Sequence, residues 1–116
     1  MRIIARSTLV RFVETLAGRS DQHAVESALN AWVQEVENAR WDNPAAVRKS
    51  YGTASIINEE RVVFNIKGNS YRLVVAIQYR RGIVFIKWLG SHKDYDTIDA
   101  GRIQYGDQTY TKRRGS

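Results

Sequence analysis

Residues 61–96 read RVVFNIKGNSYRLVVAIQYRRGIVFIKWLGSHKDYD, and this stretch decides the fold. Three apolar runs, Arg61–Ile66, Tyr71–Tyr79 and Ile83–Leu89, are rich in the β-branched and aromatic residues that suit a pleated, half-buried surface. The joints Lys67-Gly68-Asn69 and Arg80-Arg81-Gly82 each carry a glycine that takes the positive φ of a tight turn without strain. Consecutive strands with joints this short form an antiparallel meander. Lys67, Arg72, Arg80, Arg81, Lys87 and Lys93 are laced through it. Ordinary strand faces do not need that many cations; a surface that holds a polyanion does. The stretch closes on His92-Lys93-Asp94-Tyr95-Asp96.

Side chains alternate across a strand. In the middle run, Tyr71, Leu73, Val75, Ile77 and Tyr79 form the better core face. Arg72, Val74, Ala76 and Gln78 then share the other, partly open face. In the third run, strict alternation puts Val84, Ile86 and Trp88 on the core side and Ile83, Phe85 and Lys87 on the open side. Arg72 and Lys87 on a face with aromatic surface make a platform for phosphates and bases. Solvated strand cations are the plain alternative.

Upstream of the meander the apolar period is helical. A short first strand, Arg2–Ala5, precedes a helix from Thr8 to Ala17 with Ser7 as its N-cap and Gly18 just past its end. A longer helix comes next, capped by Ser20 or Asp21, with the stripe Val25, Ala28, Leu29, Trp32, Val33 and Val36. Asn43-Pro44 starts a brief third helix to about Lys49, with proline at the first helical position. Ala54–Ile57 reads as a strand, and Asn58-Glu59-Glu60 as a turn. Residues 90–98 leave the sheet as a loop or helical turn. The segment from Gly101 is polar, lacks an apolar period and ends in Lys112-Arg113-Arg114; it reads as a mobile basic tail of the same domain. The fold class is α+β: two N-terminal helices packed on a small antiparallel sheet, in one domain.

The chain has 116 residues and a net charge of +6. The first fifty residues hold seven Lys/Arg and six Asp/Glu; the remainder hold eleven and six. The basic field therefore belongs to the meander and the C-terminal segment, and it attracts nucleic acid or an acidic protein. The sequence has no cysteine, which removes disulfides and thiolate metal sites and fits a reducing cytoplasm. The short apolar run between Arg2 and Arg6 does not make a secretory signal, and no run approaches the length of a membrane span.

His92 lies just beyond a strand end, and histidine is the residue type whose side chain can change charge near neutral pH. If residues 91–97 are helical, Tyr95 shares its face. His92, Lys93 and Tyr95 then offer a proton acceptor, a phosphate clamp and a proton donor. Asp94 and Asp96 weigh against phosphate there; they orient His92 or Lys93, or cap the turn. His23, in the first turn of the second helix, reads as a solvent-facing residue. Two distant histidines give no metal-ligand spacing, Lys67-Gly68-Asn69 is not a Walker loop, and no dinucleotide fingerprint is present. The expected chemistry is acid–base work on a phosphodiester without metal or cofactor.

The string RVVFNIKGNSYRLVVAIQY followed by GIVFIKWLGSHKDYD resembles the HigB family of bacterial type II toxin–antitoxin toxins. The opening RIIA, Trp32 and the stretch Ala39-Arg40-Trp41-Asp42-Asn43-Pro44-Ala45 agree with it, and coverage runs from about Met1 to Ala100. The matched polar set is Asn65, Lys67, Gly68, Asn69, Tyr71, Arg72, His92, Tyr95 and Asp96. Ser70 and Ser91 stand where Lys and Thr are more usual, and Trp88 stands in place of Phe. The resemblance implies a RelE-like fold, with residues 1–100 as the toxin domain and 101–116 as its basic tail. It implies a cytoplasmic endoribonuclease that cuts messenger RNA, commonly on the ribosome, and a helix-turn-helix antitoxin as partner. Arg72, His92 and Tyr95 are the candidate catalytic residues. Lys67, Asn69, Arg80, Arg81, Lys87, Lys93, Lys112, Arg113 and Arg114 are the candidate nucleic-acid contacts. The competing readings are a non-catalytic nucleic-acid-binding module and a domain whose basic face meets an acidic protein.

Overall fold

The extended, β-branched runs pair as their turns dictate. In the computed structural model, which describes residues 1–104, β2 (Ser55–Ile56), β3 (Arg61–Ile66), β4 (Tyr71–Gln78) and β5 (Ile83–Ser91) run in antiparallel succession. The first strand, β1 (Arg2–Ile4), adds to β5 in parallel. The sheet is therefore mixed, in the order β1-β5-β4-β3-β2, and the antiparallel meander is its greater part. Helices α1 (Arg6–Glu14), α2 (Gln22–Glu37) and α3 (Pro44–Ser50) come before β2, and a single turn, α4 (His92–Tyr95), comes directly after β5. No helix among the described residues is long and apolar enough to cross a membrane.

The main core lies between the helices and one sheet face. Val25, Leu29, Trp32, Val33 and Val36 of α2 are buried against Val62, Phe64, Leu73, Val75 and Ile77. Aromatic edges organise it: Trp32 meets Phe64 at 5.4 Å, and Trp41 stacks on Phe64 at 6.1 Å. These are the two stripes that periodicity identifies.

The helix ends depart from the cap chemistry in the sequence at two of three starts. Asn43 does cap α3, its side chain accepting from Ala46 N at 2.9 Å with Pro44 at the first position. Helix α1 starts at Arg6, not Thr8, with Ala5 as its cap and exposed Ser7 unused. Pairing of Ile4 with Phe85 ends β1, and that fixes where the chain turns into the helix. At the far end α1 stops at Glu14; Leu16 N and Ala17 N bond three residues back, and Gly18 reverses the chain at φ 87°. Asp21 precedes α2, but its side chain makes no cap. Its carboxylate instead accepts from Tyr71 Oη at 2.6 Å and Arg19 Nε at 3.1 Å.

The second sheet face is covered over its middle. Val63 and Val74 pack with Ile98, Ala100 and Ile103 in a smaller core. Arg61 is buried there and donates from Nη1 to Ala100 O at 3.1 Å and Ile103 O at 2.7 Å. The start of the polar C-terminal segment is thus packed on the sheet rather than loose. A single isoleucine and backbone carbonyls hold it, and neither leaves a periodic signature. Residues 105–116, with Lys112, Arg113 and Arg114, lie outside the described residues.

These contacts have two measurable effects on stability. Arg61→Met keeps the stem but strands two buried carbonyls, each costing about 1–3 kcal/mol when left without a donor; equilibrium urea unfolding should show a loss of about 2–6 kcal/mol. The Tyr71 hydroxyl, then Arg19, hold the Asp21 carboxyl below its ordinary value of 3.8. A depressed carboxyl contributes stability that is present above the ordinary value and lost as pH falls through the lower, folded one. The stability difference between the native chain and Asp21→Asn should therefore shrink in acid, and a difference that is constant down to pH 2 would remove Asp21 from that role.

Candidate functional site

One end of the second face stays open, and the β4–β5 register builds it. Asn65, Arg72 and Gly90 stand side by side across three strands. Nearer the middle, Val74 pairs with Trp88 but Val75 pairs with Ile86, so Lys87 is an extra residue on β5. Such a bulge leaves one residue unpaired and breaks the alternation beyond it. Trp88 therefore belongs to the second face, not to the main core where strict alternation puts it, and it packs against the smaller core with Tyr95. Its indole lies across Gly90: a Cβ there would sit 2.5 Å from the ring's Cη2. Only glycine gives that close approach, which is the meaning of a glycine inside a strand.

Helix α4 is too short to form alone. It is held from outside: Ser91 Oγ accepts from Asp94 N at 3.1 Å, and His92 N donates to Ser70 O at 2.9 Å. Ser91, not an aspartate, is thus the cap. Among the described residues neither Asp94 nor Asp96 bonds to His92 or Lys93.

Arg72 connects the parts. Its Nη1 donates to Asn69 O at 3.0 Å and lies 3.4 Å from Tyr71 O, while Nη2 meets His92 Nδ1 at 2.6 Å. A guanidinium has donors only, so Nδ1 accepts and the ring proton resides on Nε2. The guanidinium carbon also stands 5.9 Å over the Tyr95 ring, within cation–π range. Tyr95 in turn meets Trp88 at 6.2 Å between centroids. Burial raises the Tyr95 hydroxyl above its usual range, with Arg72 opposing and Asp96 adding to the shift. That phenol stays a proton donor at neutral pH.

The candidate residues divide by place. Arg72, His92, Lys93 and Tyr95 come together, and the β3–β4 turn brings Lys67 and Asn69 beside them. Lys67 takes φ 52° and Gly68 φ 60° in that turn. Lys87 points to this face as expected, but its Nζ is engaged by Gln104 Oε1 at 2.8 Å and lies 5.6 Å over Phe85. Arg80 and Arg81 sit in the β4–β5 turn at the opposite end of the sheet, roughly 23 Å away at ~3.3 Å per strand residue. Trp88 and Gly90 are the parts that alternation misplaces or ignores. The signal for them was Gly90 itself, a glycine inside an otherwise apolar strand.

A family model described as HigB_toxin, RelE-like toxic component of a toxin–antitoxin system, matches residues 25–98, which run from α2 through α4. The chain belongs to that family. This HigB-family protein is thus the toxin of a toxin–antitoxin system and has an antitoxin as partner. No curated protein matches the chain. The matched residues include the whole open end of the second face: Asn65, Arg72, Trp88, Gly90, His92 and Tyr95.

For this toxin, Gly90→Ala should leave the fold intact, cost about 1–3 kcal/mol as overpacking, and push Trp88 off Gly90 so that Tyr95 moves. Tryptophan emission and the Tyr95 ring resonances should both shift. Tyr95 resonances that stay in place would show that Trp88 does not position it.

Proposed function

We propose that this toxin is a metal-independent endoribonuclease that cuts messenger RNA aligned by the ribosome, and that Arg72, His92 and Tyr95 do the work. The observation that carries this is their convergence: a guanidinium 2.6 Å from an imidazole nitrogen and 5.9 Å over a phenol ring, at an open sheet end. RNA brings its own nucleophile, the 2′-OH. Cleavage then needs a proton acceptor for that hydroxyl, charge stabilisation at the phosphate and a proton for the leaving 5′ oxygen.

The three side chains divide these tasks. Without substrate, Arg72 occupies the one lone pair of the His92 ring. A phosphate arriving at the open end competes for that guanidinium, because charge-assisted bonds to an anion outrank one to a neutral nitrogen. Arg72 turns to the phosphate, and Nδ1 is released to take the 2′-OH proton. Tyr95, held protonated by burial, supplies the proton or hydrogen bond to the leaving oxygen. Lys67, Asn69 and Lys93 flank the site and hold adjacent phosphates. The partner that silences it is a helix-turn-helix antitoxin, drawn by the basic surface.

Single-turnover cleavage and binding, measured side by side on ribosome-bound messenger RNA, test the reading. His92→Ala should keep binding and lose cleavage by roughly a hundredfold to ten-thousandfold. Arg72→Ala should lose about a hundredfold to a thousandfold in rate. In cells, induction should create new 5′ ends inside coding regions. Intact transcripts in growth-arrested cells would overturn it, and wild-type cleavage by His92→Ala would leave Arg72 and Tyr95 without that partner.

A further inference from the structure

A second polar pocket of about 480 Å³ lies where the β4–β5 turn meets the loop after α2, lined by Arg40, Trp41, Asp42, Tyr79, Arg80 and Arg81 together with Met1 and Gly82. It is far from His92 and opens on the helix-bearing side: Trp41 and Tyr79 pack with the main core, whereas Trp88 and Tyr95 pack with the smaller one. Gly82, at φ 68°, folds the turn back, and its carbonyl accepts from Arg2 N at 2.8 Å. The turn's two arginines are thereby carried next to Arg40.

The chemistry of the lining is one-sided. Three exposed guanidiniums face it, of which Arg81 gives one bond to Gln78 Oε1 at 3.2 Å. The Tyr79 hydroxyl is shielded from solvent and has no hydrogen-bond partner among the described residues; burial raises it, so it remains a donor. The indole N–H of Trp41 is already given to Ser50 Oγ at 3.2 Å. One carboxylate, Asp42, stands against three guanidiniums. A pocket rich in donors and net positive wants an oxyanion, and guanidinium forks match its paired oxygens.

We propose that this pocket is an RNA phosphate site remote from the cleaved bond, an anchor that holds a second part of the RNA. The inference rests on the ribonuclease reading of this toxin. RNA is favoured over an acidic peptide by how the other cations are used. Arg61 is spent on two carbonyls, Lys87 on Gln104, and Arg72 on Asn69 and His92. Lys67 and Lys93 are exposed at the cleavage end, and Arg40 and Arg80, with no partner of their own among the described residues, add a second group of cations that a long polyanion can reach. The two sites stand at opposite ends and on opposite faces of the sheet. An RNA that reaches both is long or folded.

The test is binding by the full-length chain to a non-cleavable 2′-O-methyl RNA across a salt series. Arg40→Gln, Arg80→Gln and Arg81→Gln combined should weaken binding about tenfold to a hundredfold near 0.1 M salt and reduce the log–log salt slope by about two, as expected for three lost contacts on a single strand. Unchanged affinity and slope in the triple variant would overturn the site. Unchanged RNA binding with a weakened antitoxin complex would also overturn it and give the pocket to an acidic peptide. If the native chain cleaves ribosome-bound RNA and the triple variant binds RNA normally, the anchor falls and the ribonuclease reading stands. If the native chain binds RNA but never cuts it, the ribonuclease reading falls instead.

Discussion

One unpaired residue in β5 sets the arrangement of everything on the second sheet face. Lys87 has no partner on β4, so the pleat slips by one position between Ile86 and Trp88. A one-residue slip transfers side chains to the other face. Trp88 leaves the main core, lies across Gly90 and props Tyr95. Without the bulge, the second face would lose its large aromatic side chain, and Arg72 would face a phenol with nothing behind it. The small core of Val63, Val74, Ile98, Ala100 and Ile103 completes the support from the other side.

The meander, the α2 stripe, the Asn43 cap and the core face of β4 were legible because each depends on a local period or a short turn. What was illegible depended on tertiary pairing. Parallel addition of β1 to β5 joins residues some eighty positions apart, and nothing in Arg2–Ile4 names its partner. The start of α1 is set by that pairing rather than by Ser7. The bulge has no signature beyond Gly90. Ile103 is one apolar residue in a polar segment, so the smaller core could not be read from spacing. At the site, the grouping of Arg72, His92 and Tyr95 was legible because strand alternation and one helical turn place them. Their mutual contacts were not, since bond partners of a guanidinium are decided by what the fold brings within reach.

The cations show the same division. Six in and around the meander read as one surface in sequence, yet the sheet spreads them over two ends and two faces. Antiparallel pairing makes this inevitable: successive turns lie at opposite ends, so Lys67 and Arg80 are separated by the length of β4. Arg61, next to them in sequence, is withdrawn altogether as a strap for the C-terminal segment.

The first strand and the last strand are neighbours, and that has a consequence for synthesis. The sheet's edge strand β1 finds its partner only after β5 exists, and α4 is bolted on after that, through Ser70 and Arg72. Long-range pairing of this kind closes late, because the loop-closure entropy must be met before contacts repay it. A chain emerging from the ribosome therefore has no assembled cluster until nearly all of its described residues are out. A chain that stops short of β5 holds neither the β1–β5 pair nor the contact of Arg72 with His92.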